Sequence, residues 1–370
     1  MQKYVLSTIM GVESLAKKEV ERQGWKIEEV VDRLVTFSGG PEMIPRMNFR
    51  SRVGNKVYML LAEEDNVDTF DKLFDIVNTI EWKKFFIKDF PIAVKATSLR
   101  SVLTATPTIQ GVSKKAIVKS ITGGTNETVK EESALEKMGI LILLVDNKLR
   151  VMLDTTGPAL HMRGYRTEAW EAPIKESLAA ACILLSNWRF RDAFYDPFCG
   201  SWTFAIEALM IAQNIAPGLK RKFAFEWLRL VDYNTVEDER AVAKKDRFDW
   251  EYKIYASDID PEMIRIAEDN TARAWLKGRI EYSVKDFKDM ALETWLSGTM
   301  VTNPPYDLRL KDENIDSLYK NIDRLFRVNT ELKGWPITGY ADFDNFIKLS
   351  DYKKRKLYNG WELCYFYRRK

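Results

Sequence analysis

Thr299-Met300-Val301-Thr302-Asn303-Pro304-Pro305-Tyr306 is a strand-like run that two prolines bring to an end. Each proline lacks the N–H group that a sheet ladder needs, so the chain must leave the sheet after Thr302. An amide and an aromatic ring then stand at the carboxyl end of the strand, where open α/β sheets bind ligands. The Asn303 oxygen can accept hydrogen bonds from an exocyclic amine, and Tyr306 can stack on a planar base. The stretch therefore predicts a sheet edge suited to methylation of a nucleobase amino group.

Three acidic residues upstream follow predicted strands in the same way. Asp196, Asp258, Asp286 and Asn303 each follow one of four successive predicted strands. Because the carboxyl ends of parallel strands lie at one edge of a sheet, we expect these four side chains along the same edge. Taken singly, Asp258 and Asp286 are better explained as helix caps or solvated loop carboxylates.

The turn that follows Asp196 has the layout of a ligand cradle, Asp196-Pro197-Phe198-Cys199-Gly200-Ser201-Trp202-Thr203. Gly200 permits a positive φ and close backbone approach, and the N–H groups of the next helix's first turn would point at a ligand. An ordinary strand-to-helix connection explains the turn equally well when it is considered alone. Cys199 is better interpreted as a small buried side chain than as a nucleophile.

Composition excludes several classes of site. The net charge is only +3, so any nucleic-acid surface must come from local clusters of basic residues. Three cysteines without a Cys-x-x-Cys pair, and the single histidine His161, exclude a four-cysteine or histidine-rich metal site, and no metal is expected. No signal-peptide layout is present and no stretch approaches the ~20 apolar residues of a membrane span. We therefore expect a cytoplasmic protein with no membrane segment.

The pattern of predicted elements changes near residue 159. Before it, short strands and helices indicate two α+β domains, over 1–62 and 63–158. They include a helix over 107–121 that ends at Gly123-Gly124, and a hairpin that turns at Asp146-Asn147. After it, strands alternate with longer helices, which is typical of a doubly wound α/β domain, expected over 159–370.

In combination these motifs resemble a known family. The Asp196–Ser201 turn, the paired acids and Asn303–Tyr306 resemble the AdoMet-dependent amino-methyltransferases. Together with His161–Arg166, Ala172–Glu176 and Lys353–Gly360, they resemble the THUMP-domain RNA guanine-N2 methyltransferases, in particular the bacterial 23S rRNA type and its shorter Firmicutes relatives. The resemblance covers essentially the whole chain. It implies an α/β fold with a C-terminal Rossmann-like seven-stranded methyltransferase domain, preceded by ferredoxin-like and THUMP domains.

The resemblance also implies a cofactor, a substrate and roles for residues. The cofactor would be S-adenosylmethionine and the partner RNA, either rRNA or tRNA. The target base would be held by Asn303, Pro304, Pro305 and Tyr306. The cofactor would be held by Asp196, Phe198, Gly200, Thr203, Asp258, Ile259, Asp286 and Phe287, with the methionine part at Asp196 and Gly200, the ribose at Asp258 and the adenine at Asp286. RNA contacts are expected from Lys114, Lys115, Arg163, Arg166, Lys354, Arg355 and Lys356.

Some of these roles have ordinary alternatives. Arg163 and Arg166 could equally pack between domains, and the basic run that begins at Lys353 could be a solvated face. Trp202 stands where the family has glycine, and its indole could lie over the cofactor, swing outward or weaken binding. The pair Asp307-Leu308 also departs from the family pattern.

Three hypotheses of function follow. The first is a guanine-N2 RNA methyltransferase. The second is an adenine-N6 methyltransferase acting on DNA or RNA, which the Asn303–Tyr306 motif alone cannot separate from the first. The third, which Trp202 motivates, is an RNA-binding protein with a degenerate cofactor pocket.

Overall fold

The chain forms two compact units, each built on one seven-stranded sheet. The computed structural model describes residues 1–85, 91–123, 137–166, 174–200, 202–276, 278–305, 312–346 and 352–369. The first unit comprises residues 1–8, 16–160 and 221–242, and the second comprises residues 9–15, 161–220 and 243–370. Within the described residues, no helix is both long and apolar enough to cross a membrane.

The strands of the first unit form a single sheet. In chain order they are β1 (Gln2–Thr8), β2 (Lys26–Val31), β3 (Leu34–Gly39), β4 (Gly54–Glu64), β5 (Ile92–Leu99), β6 (Met138–Val145) and β7 (Lys148–Asp154). The spatial order is β2-β3-β1-β4-β7-β6-β5, and every neighbouring pair is antiparallel except β5 and β6. The domain boundary predicted at residue 62 falls inside β4, which pairs with both β1 and β7. The sheet is continuous there, and the division into three domains stays a prediction.

Two local predictions in this unit describe the structure well. The hairpin of β6 and β7 turns at Asp146 and Asn147, whose φ angles of 51° and 61° suit the tight turn that matches strand twist. A helix over Thr106–Thr122 ends at Gly123, whose φ is 67°. This glycine adopts the left-handed conformation that commonly terminates helices.

The helices follow in chain order. They are α1 (Glu13–Arg22), α2 (Met43–Arg50), α3 (Phe70–Thr79), α4 (Thr106–Thr122), α5 (Glu176–Ser186), α6 (Thr203–Ala212), α7 (Ala224–Trp227), α8 (Tyr233–Lys245), α9 (Pro261–Arg273), α10 (Phe287–Met290) and α11 (Asp312–Val328). The pattern of the sequence predicts neither α7 nor α8. The segment that carries α7 and most of α8, residues 221–242, groups with the first unit although residues on both sides of it belong to the second.

The strands of the second unit form the predicted α/β sheet. They are β8 (Phe194–Asp196), β9 (Ile254–Asp258), β10 (Glu281–Val284), β11 (Gly298–Thr302), β12 (Leu332–Thr338), β13 (Tyr352–Asn359) and β14 (Glu362–Arg369). Their spatial order is β10-β9-β8-β11-β12-β14-β13. The first five are mutually parallel, while β14 is antiparallel to both β12 and β13. Six strands therefore point their carboxyl ends to one edge, which is called the carboxyl edge below.

The core of the second unit lies around the middle of this sheet. All five residues of β11 are buried, and all ten residues of α6 are buried as well. A helix buried on every side is expected to be apolar all round, as α6 is apart from Thr203 and Glu207. The amphipathic α11 packs one apolar face into this core, formed by Ile315, Tyr319, Ile322, Leu325 and Phe326.

Two glycine replacements, one in this core and one on the exposed surface of α4 in the first unit, should change the free energy of unfolding with opposite signs. Gly334 is buried in β12, where an added Cβ would overlap the Phe326 ring. We expect Gly334→Ala to lower the free energy of unfolding by about 1–3 kcal/mol. Gly111 is exposed within α4, and a Cβ added there would meet no other atom within 4 Å. Gly111→Ala should therefore raise the free energy of unfolding by about 0.4–1 kcal/mol. Urea unfolding measures both, and an equal effect of the two variants would contradict the packing described.

Candidate active site

The strand order places the predicted acidic residues and Asn303 along the carboxyl edge of the second sheet. Asp196 ends β8 and Asp258 ends β9, while Asp286 follows β10 and Asn303 follows β11. β8 lies between β9 and β11, so Asp196 stands between Asp258 and Asn303. The sheet thus brings together residues that are up to 107 positions apart.

Asp196 is held in a buried position by its neighbours. It is 1% exposed, and one carboxylate oxygen accepts a hydrogen bond of 2.8 Å from the hydroxyl of Thr302 at the end of β11. Burial, helped by the charge of Asp258, raises the pKa of Asp196 to about 7 although hydrogen bonds from Thr302 and the Phe198 N–H act in the opposite direction. A positive ligand group beside Asp196 would stabilise its charged form.

Asp258 ties the predicted cradle to the neighbouring strand. One of its oxygens accepts from the Gly200 N–H at 2.9 Å, and the other accepts from the Asp260 N–H at 3.1 Å. The Cys199 N–H donates to the Ser257 carbonyl at 3.0 Å. Burial raises the pKa of Asp258, and hydrogen bonds from the N–H groups of Asp260, Gly200 and Ile259 oppose that shift. The turn is therefore positioned by β9 as well as by β8, and Gly200 takes a φ of 41° within it.

The remaining acids at this edge begin helices. Asp260 accepts from the Glu262 N–H at 2.9 Å and caps α9, and Asp286 accepts from the Lys288 N–H at 2.9 Å and caps α10. The cap named as the alternative for Asp286 is therefore present. Ile259, between Asp258 and Asp260, is 65% exposed.

Two phenylalanines pack behind the edge. Phe287 is 4% exposed and belongs to the core of the second unit. The centroid of its ring lies 4.6 Å from that of Phe198, which is only half-buried. Of the two rings predicted at the cofactor site, Phe198 therefore presents more surface to a ligand, and Phe287 supports it from behind.

The segment after β11 is held against α11. Asn303 and Pro305 are half-buried and Pro304 is buried. The Pro305 carbonyl accepts from the hydroxyl of Tyr319 at 3.5 Å, and Tyr319 also shares a hydrogen bond of 3.2 Å with Thr338. These contacts fix the direction in which the chain leaves the sheet. Tyr306, the fourth predicted residue of this group, lies outside the described residues.

Trp202 is fully buried, so its indole does not swing outward. Its φ is 63°, its ring nitrogen donates to the Cys199 sulfur, and its centroid lies 6.3 Å from that of Tyr282 in an edge-on contact. The positive φ gives a physical reason for a glycine at this position in the family, since glycine adopts it without strain. Thr203, the next residue, begins α6 and is also buried. Burial raises the pKa of the Cys199 thiol well above its usual value, which agrees with the rejection of a nucleophilic role.

The structure places Arg163 and Arg166 differently from the predicted RNA contacts. Arg163 is 3% exposed, and its Nε donates to Glu207 at 3.4 Å. Arg166 donates to the Thr203 hydroxyl and, at 3.2 Å, to the Ile174 carbonyl. Arg163 is therefore buried by packing within the second unit, not between domains, and its guanidinium is not exposed to an RNA phosphate. Arg166 supports the first turn of α6, next to the predicted cofactor residue Thr203.

The other predicted RNA contacts lie on surfaces. In the second unit, Lys354, Arg355 and Lys356 are exposed along β13, where the Lys354 ammonium pairs with Asp344. In the first unit, Lys115 is exposed on α4 and Lys114 is half-buried. Among the described residues, no group of three or more histidine, cysteine, aspartate or glutamate side chains could hold a metal ion.

One residue of the carboxyl edge escaped the analysis of the sequence. Trp361 is 97% exposed at the tip of the β13–β14 hairpin, and β13 runs in the same direction as β12, so the tip lies at the carboxyl edge. The Asn359 side chain accepts from the Lys175 N–H at 3.2 Å, which fastens the hairpin to the start of α5. The Asn359-Gly360 dipeptide between two strand-like runs is a hairpin signal that could have revealed this position.

The chain matches two family models. Residues 163–366 match the methyltransferase domain described as UPF0020, RMKL-like, and residues 3–58 match the RlmL ferredoxin-like domain.

Three similar proteins have informative names. The chain is 36% identical to "Putative RNA methyltransferase YpsC" of Bacillus subtilis (strain 168), covering 98% of this chain and 94% of that protein. It is 31% identical to ribosomal RNA large subunit methyltransferase K/L of Aliivibrio salmonicida (strain LFI1238), covering 98% of this chain and 53% of that protein. It thus spans about half the length of the K/L relatives. The crystal structure of SMU.472, titled a putative methyltransferase complexed with SAH, has a TM-score of 0.88 and 36% identity, covering 99% of this chain and 97% of that one.

Asp196→Asn tests the electrostatics of the edge. Burial holds the pKa of Asp196 at about 7, above its value in the unfolded chain, so the folded state binds more protons and loses stability as pH rises from about 4 to about 7. An amide does not titrate. We expect the variant to gain about 2–3 kcal/mol of unfolding free energy relative to wild type between pH 5 and pH 8. Urea unfolding at both pH values gives the difference in unfolding free energy between the variant and wild type. A difference that is the same at pH 5 and pH 8 would contradict the raised pKa.

Proposed function

This chain belongs to the UPF0020 family of RMKL-like methyltransferases, and we propose that it transfers the methyl group of S-adenosylmethionine to the exocyclic N2 amine of a guanosine in RNA. The observation that carries the proposal is the adjacency of two carboxylates, the buried Asp196 and the half-buried Asp258, to Asn303 on one sheet edge. Ribosomal RNA is the substrate favoured by the name of the K/L relatives, and tRNA is the other candidate. The cytoplasm, where such RNA is modified, is the proposed location.

The residues at the edge fit S-adenosylmethionine. Burial raises the pKa of both Asp196 and Asp258, so a cationic ligand would offset the cost of their charges. The cofactor carries a sulfonium and an ammonium group, and a neighbour with 36% identity is titled as a complex with SAH. The Asp258 oxygens accept from the N–H groups of Gly200, Asp260 and Ile259, and the remaining lone pair is open to a ribose hydroxyl.

Within this arrangement, Asp196 and the Gly200 turn hold the methionine part, and Asp258 holds the ribose. The half-buried Phe198 offers a ring face to the adenine, and Asp286 accepts from its amino group. Ile259 is exposed enough to cover the other face of the adenine. Thr203, which receives the hydrogen bond of Arg166, sets the start of α6 beneath the ligand.

Asn303 and Pro304 would activate the amine. The lone pair of an exocyclic amine is delocalised into the base, so the nitrogen is a poor nucleophile. The side-chain oxygen of Asn303 and the carbonyl of Pro304 accept its two N–H bonds, draw the nitrogen toward tetrahedral geometry and aim the lone pair at the methyl group. The same two oxygens stabilise the positive charge that develops on nitrogen until its proton leaves to water. Catalysis is then mostly positioning and oriented dipoles.

RNA would approach across the β13–β14 hairpin. Four consecutive cations, residues 353–356, are exposed along β13 and lead to Trp361 at the hairpin tip on the carboxyl edge. Basic side chains that follow a backbone and an exposed ring that stacks on bases are the two elements of single-strand binding. Lys114 and Lys115 are proposed as further contacts in the first unit.

Asn303→Ala separates catalysis from cofactor binding. Loss of the oriented oxygen should lower the rate of methyl transfer by about 10²-fold or more, while the affinity for S-adenosylmethionine stays unchanged. Isothermal titration calorimetry and single-turnover transfer to RNA from cells that lack the gene measure the two quantities. Asn345→Ala, which removes an exposed amide of the same unit, is the control. Equal loss of binding and transfer would mean that Asn303 is structural, and no heat from wild type would favour the degenerate-pocket hypothesis.

The modified nucleoside is identified by mass spectrometry of RNA from a deletion strain. We expect a lower content of N2-methylguanosine in a ribosomal RNA fraction, restored by the wild-type gene and not by Asn303→Ala. A loss of N6-methyladenosine with unchanged N2-methylguanosine would favour the adenine alternative. Unchanged levels of both would count against the proposal.

A further inference from the structure

A cavity outside the candidate active site lies at the end of α6 that is farther from the Gly200 turn. Its volume is about 280 Å³, and it lies wholly within the second unit. α6 has ten residues and is therefore about 15 Å long, so this cavity is separate from the carboxyl edge. Its apolar lining comes mainly from Met210, Ile215, Leu219, Ala274 and Trp275.

Charge around this cavity has one sign. Arg163, Lys220, Lys244 and Arg247 line it, and none of the described lining residues is acidic. Arg163 is neutralised by its ion pair with Glu207 behind the wall, which leaves Lys220, Lys244 and Arg247 as the net cations. An apolar hollow with a cationic rim is complementary to a ligand that combines an apolar body with an anionic group.

Trp275 is an unusual residue for its backbone position. Its N–H donates to the Ala272 carbonyl at 2.9 Å and the Leu276 N–H donates to the Thr271 carbonyl at 3.0 Å, which is the Schellman pattern at the end of α9. The residue in the left-handed conformation of this motif is usually glycine, but here it is a tryptophan with φ of 63°. The indole is 71% exposed, so burial does not explain the choice.

Lys220 faces the indole. Its ammonium lies 3.4 Å from the centroid of the Trp275 ring and donates to the Arg273 carbonyl. Burial lowers the pKa of Lys220 to about 8. An anion in the cavity would stabilise the charged ammonium, so this lysine gains from a negative partner.

The segment that carries Lys244 and Arg247 is hydrogen-bonded to the residues that follow α6. The Asn214 side chain donates to the Asp246 carbonyl at 3.0 Å, and the Phe248 N–H donates to the Gln213 carbonyl at 2.8 Å. These two bonds hold the segment that carries Lys244 and Arg247 beside the hollow. The site is therefore built from fixed backbone and is not formed by surface side chains alone.

We propose that this cavity binds a nucleoside phosphate. The planar base contacts Trp275 and the apolar floor, and the phosphate is held by Lys220, Lys244 and Arg247. A free mononucleotide and one nucleotide of an RNA strand share this chemistry. The proposal does not depend on the reaction at the carboxyl edge.

The test uses the full chain with saturating S-adenosylhomocysteine, so that a nucleotide cannot bind at the proposed cofactor site. GMP, a single-stranded RNA dodecamer and inorganic phosphate are titrated by calorimetry. We expect GMP or the dodecamer to bind more tightly than inorganic phosphate. Tighter binding of GMP identifies the free nucleotide as the source, and tighter, salt-dependent binding of the dodecamer identifies the RNA strand.

Two matched variants locate the binding site. Trp275→Gly should weaken binding by about tenfold or more, as expected for loss of one base–aromatic contact, while its thermal stability stays equal or rises because glycine suits the positive φ. Trp295→Gly is the control, because Trp295 has φ of 72°, is 92% exposed and does not line the cavity. Lys220→Gln should also weaken the binding of GMP and of the RNA dodecamer. Equal affinities of the two glycine variants, binding no tighter than that of inorganic phosphate, or no binding at all would overturn the proposal.

Discussion

One hydrogen bond, from the Thr302 hydroxyl to the Asp196 carboxylate, joins the ends of the two central strands of the second sheet. Asn303 is the next residue after Thr302, so this bond sets how far the acceptor amide stands from the acidic turn. Asp258 then fixes the other side of the turn through the Gly200 N–H. The candidate site is therefore a chain of short contacts across β11, β8 and β9, and each contact depends on the strand order.

The acidic edge would also distinguish the substrate from the product of the proposed reaction. Two carboxylates whose burial raises their pKa are costly to keep charged, and a cation relieves part of that cost. Methyl transfer converts a sulfonium into a neutral thioether. A product with one positive charge fewer would offset less of the cost of these charged carboxylates than the substrate does.

Sequence reasoning succeeded where local chemistry decides structure. Local residues determine the strands that end at acidic residues or prolines. They also determine the turn at Asp146-Asn147 and the end of α4 at Gly123. Sequence reasoning failed where the structure depends on contacts with residues far away in the chain. Arg163 is buried because Glu207, 44 positions away, neutralises its charge. The strand β13 was not predicted because four of its residues are consecutive cations, which do not show a strand pattern. The packing of residues 221–242 with the first unit and the insertion of β14 between β12 and β13 also depend on contacts that no local pattern encodes.

The cations of β13 have a second consequence, for self-assembly. β13 is the outermost strand of its sheet, and an outermost strand offers free backbone groups to any other chain. Two copies that paired along this strand would bring like charges to about 5 Å from one another, the spacing of neighbouring strands. The same side chains that suit a polyanion thus discourage edge-to-edge aggregation, and removing them would expose the protein to fibre-like association.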